Sequence, residues 1–537
     1  MTSLHLFGGS KLRFLIYTSF FSGTVVYYGA LNKQQKRKFH TNKAGIGRFL
    51  LLSFGGMTIK RDYRKNVIKL SEGTEAYNLE LEKFHERTAD LIYKAALQNK
   101  GLYIKLGQAV ASMNHVFPPV YVEKLSQLND MALVSKEDDL DQMFMEDFNQ
   151  SLNQMFIEFK REPIASASIA EVFEGRLRDS GEKVAVKMQF IDLQDRFAGD
   201  IWTIKFLMDI AEYVFPGFNF KWAVIELCDT LKQELDFINE GRNAEKCAED
   251  LKGFDYVHVP KVHWEYTSKR VLTTEFIEAC KIDDAEGMKS NGIDVKKACE
   301  RMCRVFGYQI FQSGFVHADP HPGNLFVRKN PNGKGDIQLV ILDHGLYQRV
   351  EPHVQKKLGN FWKSMILDEQ SSMLRDASEL GVSGLHDTAI LAAILIQRPW
   401  YVNVPFATYF KTMDQSDFAH MSGFVKDHFN KVMAVLRAVP LSLLLVIRNI
   451  NTIRSIVQTH GEPVNRYRIM TSCTVKNSWS NYREYLRIQY RLFLMDAKEM
   501  LHKTLLGIFF TLSRTGIPLF SKFSNLNLEV EKKSVLL

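Results

Sequence analysis

Phe315-Val-His-Ala-Asp-Pro-His-Pro-Gly-Asn324 decides the fold. It sets His317, Asp319 and Asn324 in the frame H-x-D-x-x-x-x-N. An Asp at this place can orient a substrate hydroxyl or accept its proton, and an Asn five residues on can turn back towards a metal ion. Pro320, Pro322 and Gly323 fill the interval, and the prolines remove backbone freedom. Further on comes Ile341-Leu-Asp-His-Gly345, an acid at the end of an apolar strand, followed by a residue that allows a sharp turn. That acid, Asp343, suits a magnesium ligand. The two stretches together have the spacing of a phosphoryl-transfer centre.

Working upstream, Val184-Ala-Val-Lys187 reads as a strand whose Lys can neutralise nucleotide phosphates. Such a Lys needs an acid on a following helix. A helix from about Trp222 to Leu251 offers Glu234, Asp236 and Glu240, with Asp236 and Glu240 four apart on one face. Singly, each feature has a plainer reading: a surface Lys, a turn, a solvated acidic face, a structural His. Their conjunction in kinase order outweighs those readings. Two parts of an ordinary protein kinase are missing. The loop Pro163-Ile-Ala-Ser-Ala-Ser-Ile-Ala170 has no glycine where a G-x-G-x-x-G would approach phosphates, and no A-P-E follows Asp343.

The pattern around these motifs is α+β. Residues 74–130 read as helical, interrupted at Pro118-Pro119, and a further helix runs from Ser135 to about Phe156. Strands are expected over Phe156–Pro163, Ala170–Leu177, Lys183–Phe190, Val257–Trp264, Arg270–Phe276, Leu325–Arg328 and Ile337–Leu342. Pro331-Asn-Gly-Lys-Gly335 reads as the turn between the last two. Val295–Gln312 reads as a helix, and from Glu351 the chain reads as helical nearly to its end, with no motif to interpret.

Charge is uneven. Residues 1–61 hold ten Lys and Arg and no acid, leaving 59 basic against 61 acidic residues in 62–537. A near-neutral body argues against nucleic acid as a partner. The basic, acid-free start instead asks for an address or a membrane. Phe14 to Leu31 is an uncharged run long enough, at about 1.5 Å per residue, to approach a bilayer core in thickness. A secretory signal, an organellar leader retained as an anchor, and a helix packed on the protein's own body are the three readings. The anchor and a mitochondrial address fit best. The apolar Thr504–Ser513 is read as packing on the body. The six cysteines form no C-x-x-C pair or zinc spacing and read as reduced thiols.

One further motif joins the set: Lys105-Leu-Gly-Gln108 in the helical preface. K-x-G-Q, the Ala-Ser loop, V-A-V-K, E-x-D, H-x-D-P-H-P-G-N and D-H-G together resemble the UbiB (aarF-domain, ABC1-type) atypical kinases over roughly residues 75–370. The D-H-G form and Glu234–Lys246 are most similar to the branch called aarF-domain-containing kinase one. The resemblance implies a protein-kinase-like two-lobed fold with a helical N-terminal extension and a helical C-terminal region. Its domains would be a leader over 1–61 with a membrane segment at 14–31, an extension over 75–135, a core over 150–370 and a helical region over 371–537. It implies that Lys187 binds phosphate and pairs with Glu240, that Asp319 is the catalytic-loop acid, and that Asn324 and Asp343 hold Mg2+. Ala165, Ser166, Ala167 and Ser168 would form the nucleotide loop for ATP or ADP. Lys105, Gly107 and Gln108 would approach Glu234 and Asp236 and block a protein substrate. The implied function is a kinase or ATPase at the mitochondrial inner membrane, acting in lipid or coenzyme Q homeostasis and cristae organisation, with a lipid or quinone-like ligand and mitochondrial membrane proteins as partners. The alternatives are a catalytically silent scaffold and, behind it, a protein kinase.

Overall fold

The computed structural model describes residues 31–504, apart from 72, 113–117, 129–136, 167–168, 216–220, 332–335, 368, 397–428, 476–482, 484, 495–496, 498–499 and 502–503. The fold is α+β, with its strands between residues 156 and 349 and helices before and after them. By contacts the chain forms two compact units, residues 1–181 with 186–235, and residues 182–185 with 236–537.

The first unit begins with a long helix, α1 (Lys33–Asp62). Its start is fixed by a capping box: the Asn32 side chain accepts from Gln35 N–H, and the Gln35 side chain accepts from Asn32 N–H. Three helices follow, α2 (Glu75–Asn99), α3 (Leu102–Ser112) and α4 (Pro119–Ser126), packed on one another. The expected helical run over 74–130 therefore has a second break, at Lys100 and Gly101, both at positive φ. Next come α5 (Glu137–Phe148), a short turn α6 (Leu152–Met155), and strands β1 (Phe156–Phe159), β2 (Ala165–Ser166), β3 (Ala170–Leu177) and β4 (Lys183–Gln189). β1 and β2 both pair antiparallel with β3, so Ala165 and Ser166 lie extended opposite Val172 and Glu171. Along β4, Val184, Val186 and Met188 are buried while Lys187 is half-exposed, the alternation of a strand with one packed face.

A helix absent from the sequence reading comes next, α7 (Leu193–Val214), followed by α8 (Lys221–Glu234). α7 carries large apolar residues around most of its circumference, so no single 3.6-residue stripe marks it. It packs along α1. Arg48 on α1 sits 2.8 Å from Asp200 on α7, and the Tyr103 hydroxyl on α3 donates to the same carboxylate. Asp200 is nearly fully buried, so these partners offset the cost of its charge.

In the second unit, α9 (Phe237–Asp250) starts at Asp236, whose carboxylate accepts from Ile238 and Asn239 N–H. This corrects the single helix expected over 222–251. Asp236 has φ −107° and ψ 96°, so it is a cap rather than part of a helical face, and it does not share one with Glu240. Then come β5 (Val257–His258), β6 (Val271–Glu275), β7 (Cys280–Lys281), α10 (Ala285–Ser290) and α11 (Val295–Tyr308). β5 is much shorter than the strand expected over 257–264: its pairing with β10 ends at His258, Pro260 has no N–H to continue a ladder, and Val262 bridges Thr274 instead. β8 (Phe315–His317) pairs with β11 (Tyr347–Arg349), and β9 (Leu325–Lys329) with β10 (Ile337–Ile341), both antiparallel. β10 is buried throughout, with β5 on its other edge. Helices α12 (Pro352–Ile366), α13 (Gln370–Glu379), α14 (Leu385–Ile396), α15 (Phe429–Ala438), α16 (Leu441–Thr459) and α17 (Arg466–Ser472) follow, and residues 485–494 are helical as well.

The core of this unit joins α11, β9, β10 and the lower half of α16 through Met302, Phe306, Val327, Leu339, Ile453 and Val457. Cys299 and Cys303 are buried there as free thiols. Among the described residues no single helix is long and apolar enough to cross a membrane. The expected segment 14–31, save Leu31, and the stretch 504–513, save Thr504, lie outside the described residues, as does most of the expected turn at 331–335.

Candidate functional site

In the second unit the H-x-D-x-x-x-x-N loop and the D-H-G turn are brought together by backbone ties. Leu342 N–H donates to Asn324 C=O at 2.8 Å, and Ala318 N–H donates to Leu346 C=O at 3.0 Å. His317 completes the junction. Its Nδ1 accepts from Asp319 N–H at 3.1 Å, which leaves Nε2 to carry the proton and donate to Asp343 C=O at 2.9 Å. Burial pushes this imidazole below its usual 6.5, in keeping with a neutral ring. His344 is fixed the same way: Nε2–H donates to Ile341 C=O, and Nδ1 accepts from the Tyr347 hydroxyl. His317 thus fastens two backbone segments, and His344 braces the D-H-G turn from within.

Asp319 and Asn324 are half-exposed and Asp343 is exposed, where a ligand can reach them. Asp343 has φ 55°, an uncommon conformation for a residue other than Gly, and its Oδ1 accepts from Gly345 N–H. Asn324 and Asp343 present an amide oxygen and a carboxylate. That donor set suits Mg2+, which takes one or two such ligands and fills the rest with water and phosphate. Among the described residues no group of three or more His, Cys, Asp or Glu gathers as a metal cage.

The sequence reading overlooked two residues here. Arg448 on α16 reaches Asp319 at 2.8 Å, and Asn449 donates from its side chain to His317 C=O. A signal was present: Arg448 and Asn449 interrupt the otherwise apolar Leu443–Ile450, and a cation on such a helix is rarely buried without a partner. Glu240, on the first turn of α9, is almost fully buried.

The first unit holds the other motif residues. Lys105 on α3 meets Glu234 at the end of α8 at 2.8 Å. Gly107 and Gln108 have packing roles. A Cβ on Gly107 would lie 2.3 Å from Leu128 Cδ1, and Gln108 Nε2 donates to Leu128 C=O at 2.8 Å. Lys187 lies on β4, and Ala165 and Ser166 on β2. Ala167 and Ser168 lie outside the described residues.

Comparison with known proteins gives the ABC1 atypical kinase-like domain over residues 127–377. The Dictyostelium discoideum protein named probable serine/threonine-protein kinase abkD is 37% identical over 74% of this chain and 56% of its own length, so the chain spans little more than half of that relative. The probable serine/threonine-protein kinase abkB of the same organism is 33% identical, over 83% of this chain and 65% of its own length. AarF domain-containing protein kinase 1 of Xenopus laevis is 32% identical, over 80% of this chain and 82% of its own. Among solved structures, the Rv3197–erythromycin complex from Mycobacterium tuberculosis aligns with 70% of this chain and 97% of its own, at 20% identity and a TM-score of 0.40.

Proposed function

The chain belongs to the ABC1 (AarF-domain) atypical kinase-like family, and from that premise we propose that it binds a magnesium nucleotide and works as an atypical kinase or ATPase at a mitochondrial membrane. The observation that carries this reading is the junction of Asp319, Asn324 and Asp343, held by His317 and by the Leu342–Asn324 bond. Asn324 and Asp343 would hold Mg2+, which would neutralise phosphate charge. Lys187 would meet the phosphates with Glu240 as its acid, and Asp319 would orient the acceptor hydroxyl or water. Ala165 to Ser168 would border the nucleotide, which we take to be ATP or ADP.

A protein acceptor is disfavoured. Only residues 344–351 separate Asp343 from α12, and within them β11 is already paired to β8. No activation segment stands there to build a docking platform for a peptide. Lys105 with Glu234 would further restrict access to the centre.

Support for the membrane comes from the first unit. Ile46, Leu50, Phe54 and Met57 form an exposed stripe on α1, and Trp202, Ile210 and Tyr213 another on α7. Lys43 and Arg61, both exposed, stand at the two ends of the α1 stripe. An apolar helical face with basic flanks suits the headgroup region of an anionic bilayer. On this reading the acceptor is a lipid or quinone-like molecule, the setting is the inner membrane, and the role is lipid or coenzyme Q homeostasis with membrane organisation.

The test is thermal unfolding of the full chain with Mg-ATP, with Mg-ADP and without nucleotide, for wild type, Lys187→Ala and Asp343→Asn. A ligand at 100 times its Kd stabilises by about 2.7 kcal/mol. A shift present in wild type and lost in both variants is expected. Its absence from folded wild type would move the protein to the scaffold class. Phosphate release with and without anionic vesicles then reports turnover.

A further inference from the structure

One face of α16 enters the centre. Leu445, Arg448 and Asn449 stand at positions i, i+3 and i+4, which share a side of a helix. Leu445 packs with Ala318 and Leu346, Arg448 pairs with Asp319, and Asn449 donates to His317 C=O. One turn further on, Ile453, Ile456 and Val457 are buried in the core of the unit. The helix is therefore a fixed wall of the loop, and Arg448 is held in place by neighbours on both sides.

The loop brings no permanent cation of its own. No Lys or Arg occurs between Phe315 and Val327. His321, two residues after Asp319, has its Nδ1 engaged with Gly323 N–H. Arg448 supplies the missing charge from a distant part of the chain. Its side chain is 11% exposed and that of Asp319 27%, so the pair is sheltered yet reachable. A guanidinium has five N–H donors in a planar fork that fits carboxylate and phosphate alike.

Resting on the nucleotide reading above, we propose that Arg448 determines specificity for the terminal phosphate, so that the site distinguishes a nucleoside triphosphate from a diphosphate. Without nucleotide, Asp319 balances the sheltered guanidinium, which would otherwise be a costly unpaired charge. With a triphosphate bound, the remaining N–H donors of the fork meet the terminal phosphate while Asp319 keeps its hold. The site is organised before the ligand arrives, so little reorganisation opposes binding. A diphosphate lacks the group that Arg448 reads.

The test is the Kd of Mg-ATP and of Mg-ADP, by calorimetry on the full chain, for wild type, Arg448→Gln, Arg448→Lys and the double variant Asp319→Asn with Arg448→Gln. Arg448→Gln is expected to lose tenfold or more in Mg-ATP affinity and less than threefold in Mg-ADP affinity, the size of a lost charge-assisted bond. Arg448→Lys keeps the charge without the fork and should fall between. The double variant, which strands no carboxylate, should match Arg448→Gln. Equal losses for both nucleotides would make Arg448 a structural tie, and unchanged ATP affinity would remove it from the site; either overturns the proposal. If folded wild type binds neither nucleotide, the nucleotide reading itself falls and takes this proposal with it. If Arg448→Gln does not fold, the ATP-to-ADP ratio of Arg448→Lys decides alone, and a ratio equal to wild type overturns the proposal.

Discussion

The K-x-G-Q helix of the first unit and the H-x-D loop of the second solve one problem with different thoroughness. Each motif has a charged member that meets a partner far along the chain, Lys105 with Glu234 and Asp319 with Arg448. Each also has members whose polar atoms or small size hold the backbone still, Gly107 and Gln108 in one, His317 in the other. The difference lies in the number of ties. His317 alone fastens Asp319 to Asp343 and is itself held by Asn449. In the α3 motif the supports Gly107 and Gln108 both lean on Leu128, by close packing and by a hydrogen bond to its C=O. Motif residues are thus a mixture of charged members paired at a distance and supports that hold the backbone.

Substitutions can break that contrast. The largest effect is expected for His317→Ala, which removes a buried ring, opens a cavity in its place and takes a hydrogen-bond partner from Asp319 N–H and Asp343 C=O. A loss of about 3–5 kcal/mol in denaturant unfolding follows from those two costs together. Gly107→Ala should cost less, about 1–3 kcal/mol, because the new Cβ collides only with the end of one buried Leu side chain. If the two losses came out equal, the difference in bracing would be gone. Lys105→Met should cost about 1 kcal/mol or less, since its ion pair with Glu234 is partly exposed. Nucleotide affinity measured on the same variant separates a role in the centre from a role in packing.

The smallest effect is a pH dependence. Burial lowers the pKa of His85 below 6.5, and its Nδ1 lies 2.9 Å from the Tyr121 hydroxyl. The folded state therefore binds its proton less readily than the unfolded chain. Stability from this group is complete above pH 6.5 and falls as the pH drops through the folded value. In His85→Phe the acid side of a stability-against-pH curve should be shallower. A curve of unchanged slope would show that other groups dominate it.

The meeting of residues 315–324 with the D-H-G turn was legible because the parts of each motif are local. Ten residues with three prolines and glycines have few conformations, and backbone ties join the loop they form to that turn. Lys105 meeting Glu234 was legible through a family pattern, not through periodicity. The break at Asp236 was missed because Glu234-Leu-Asp-Phe-Ile-Asn reads as a continuous helix unless Asp236 is seen as a cap. α7 was missed because large apolar residues surround it, and a moment needs a polar side to show itself. Arg448 was missed because its partner lies on another element, and only the fold brings them together.

The short span between Asp343 and α12 has a further consequence. Many kinases are switched by a mark on a long segment at this point, which is loose in one state and ordered in the other. Residues 344–351 leave no such slack: three of them form β11, and His344 and Tyr347 are locked to each other. On the reading proposed above, control of such a centre would act on access to it rather than on a loose segment beside it.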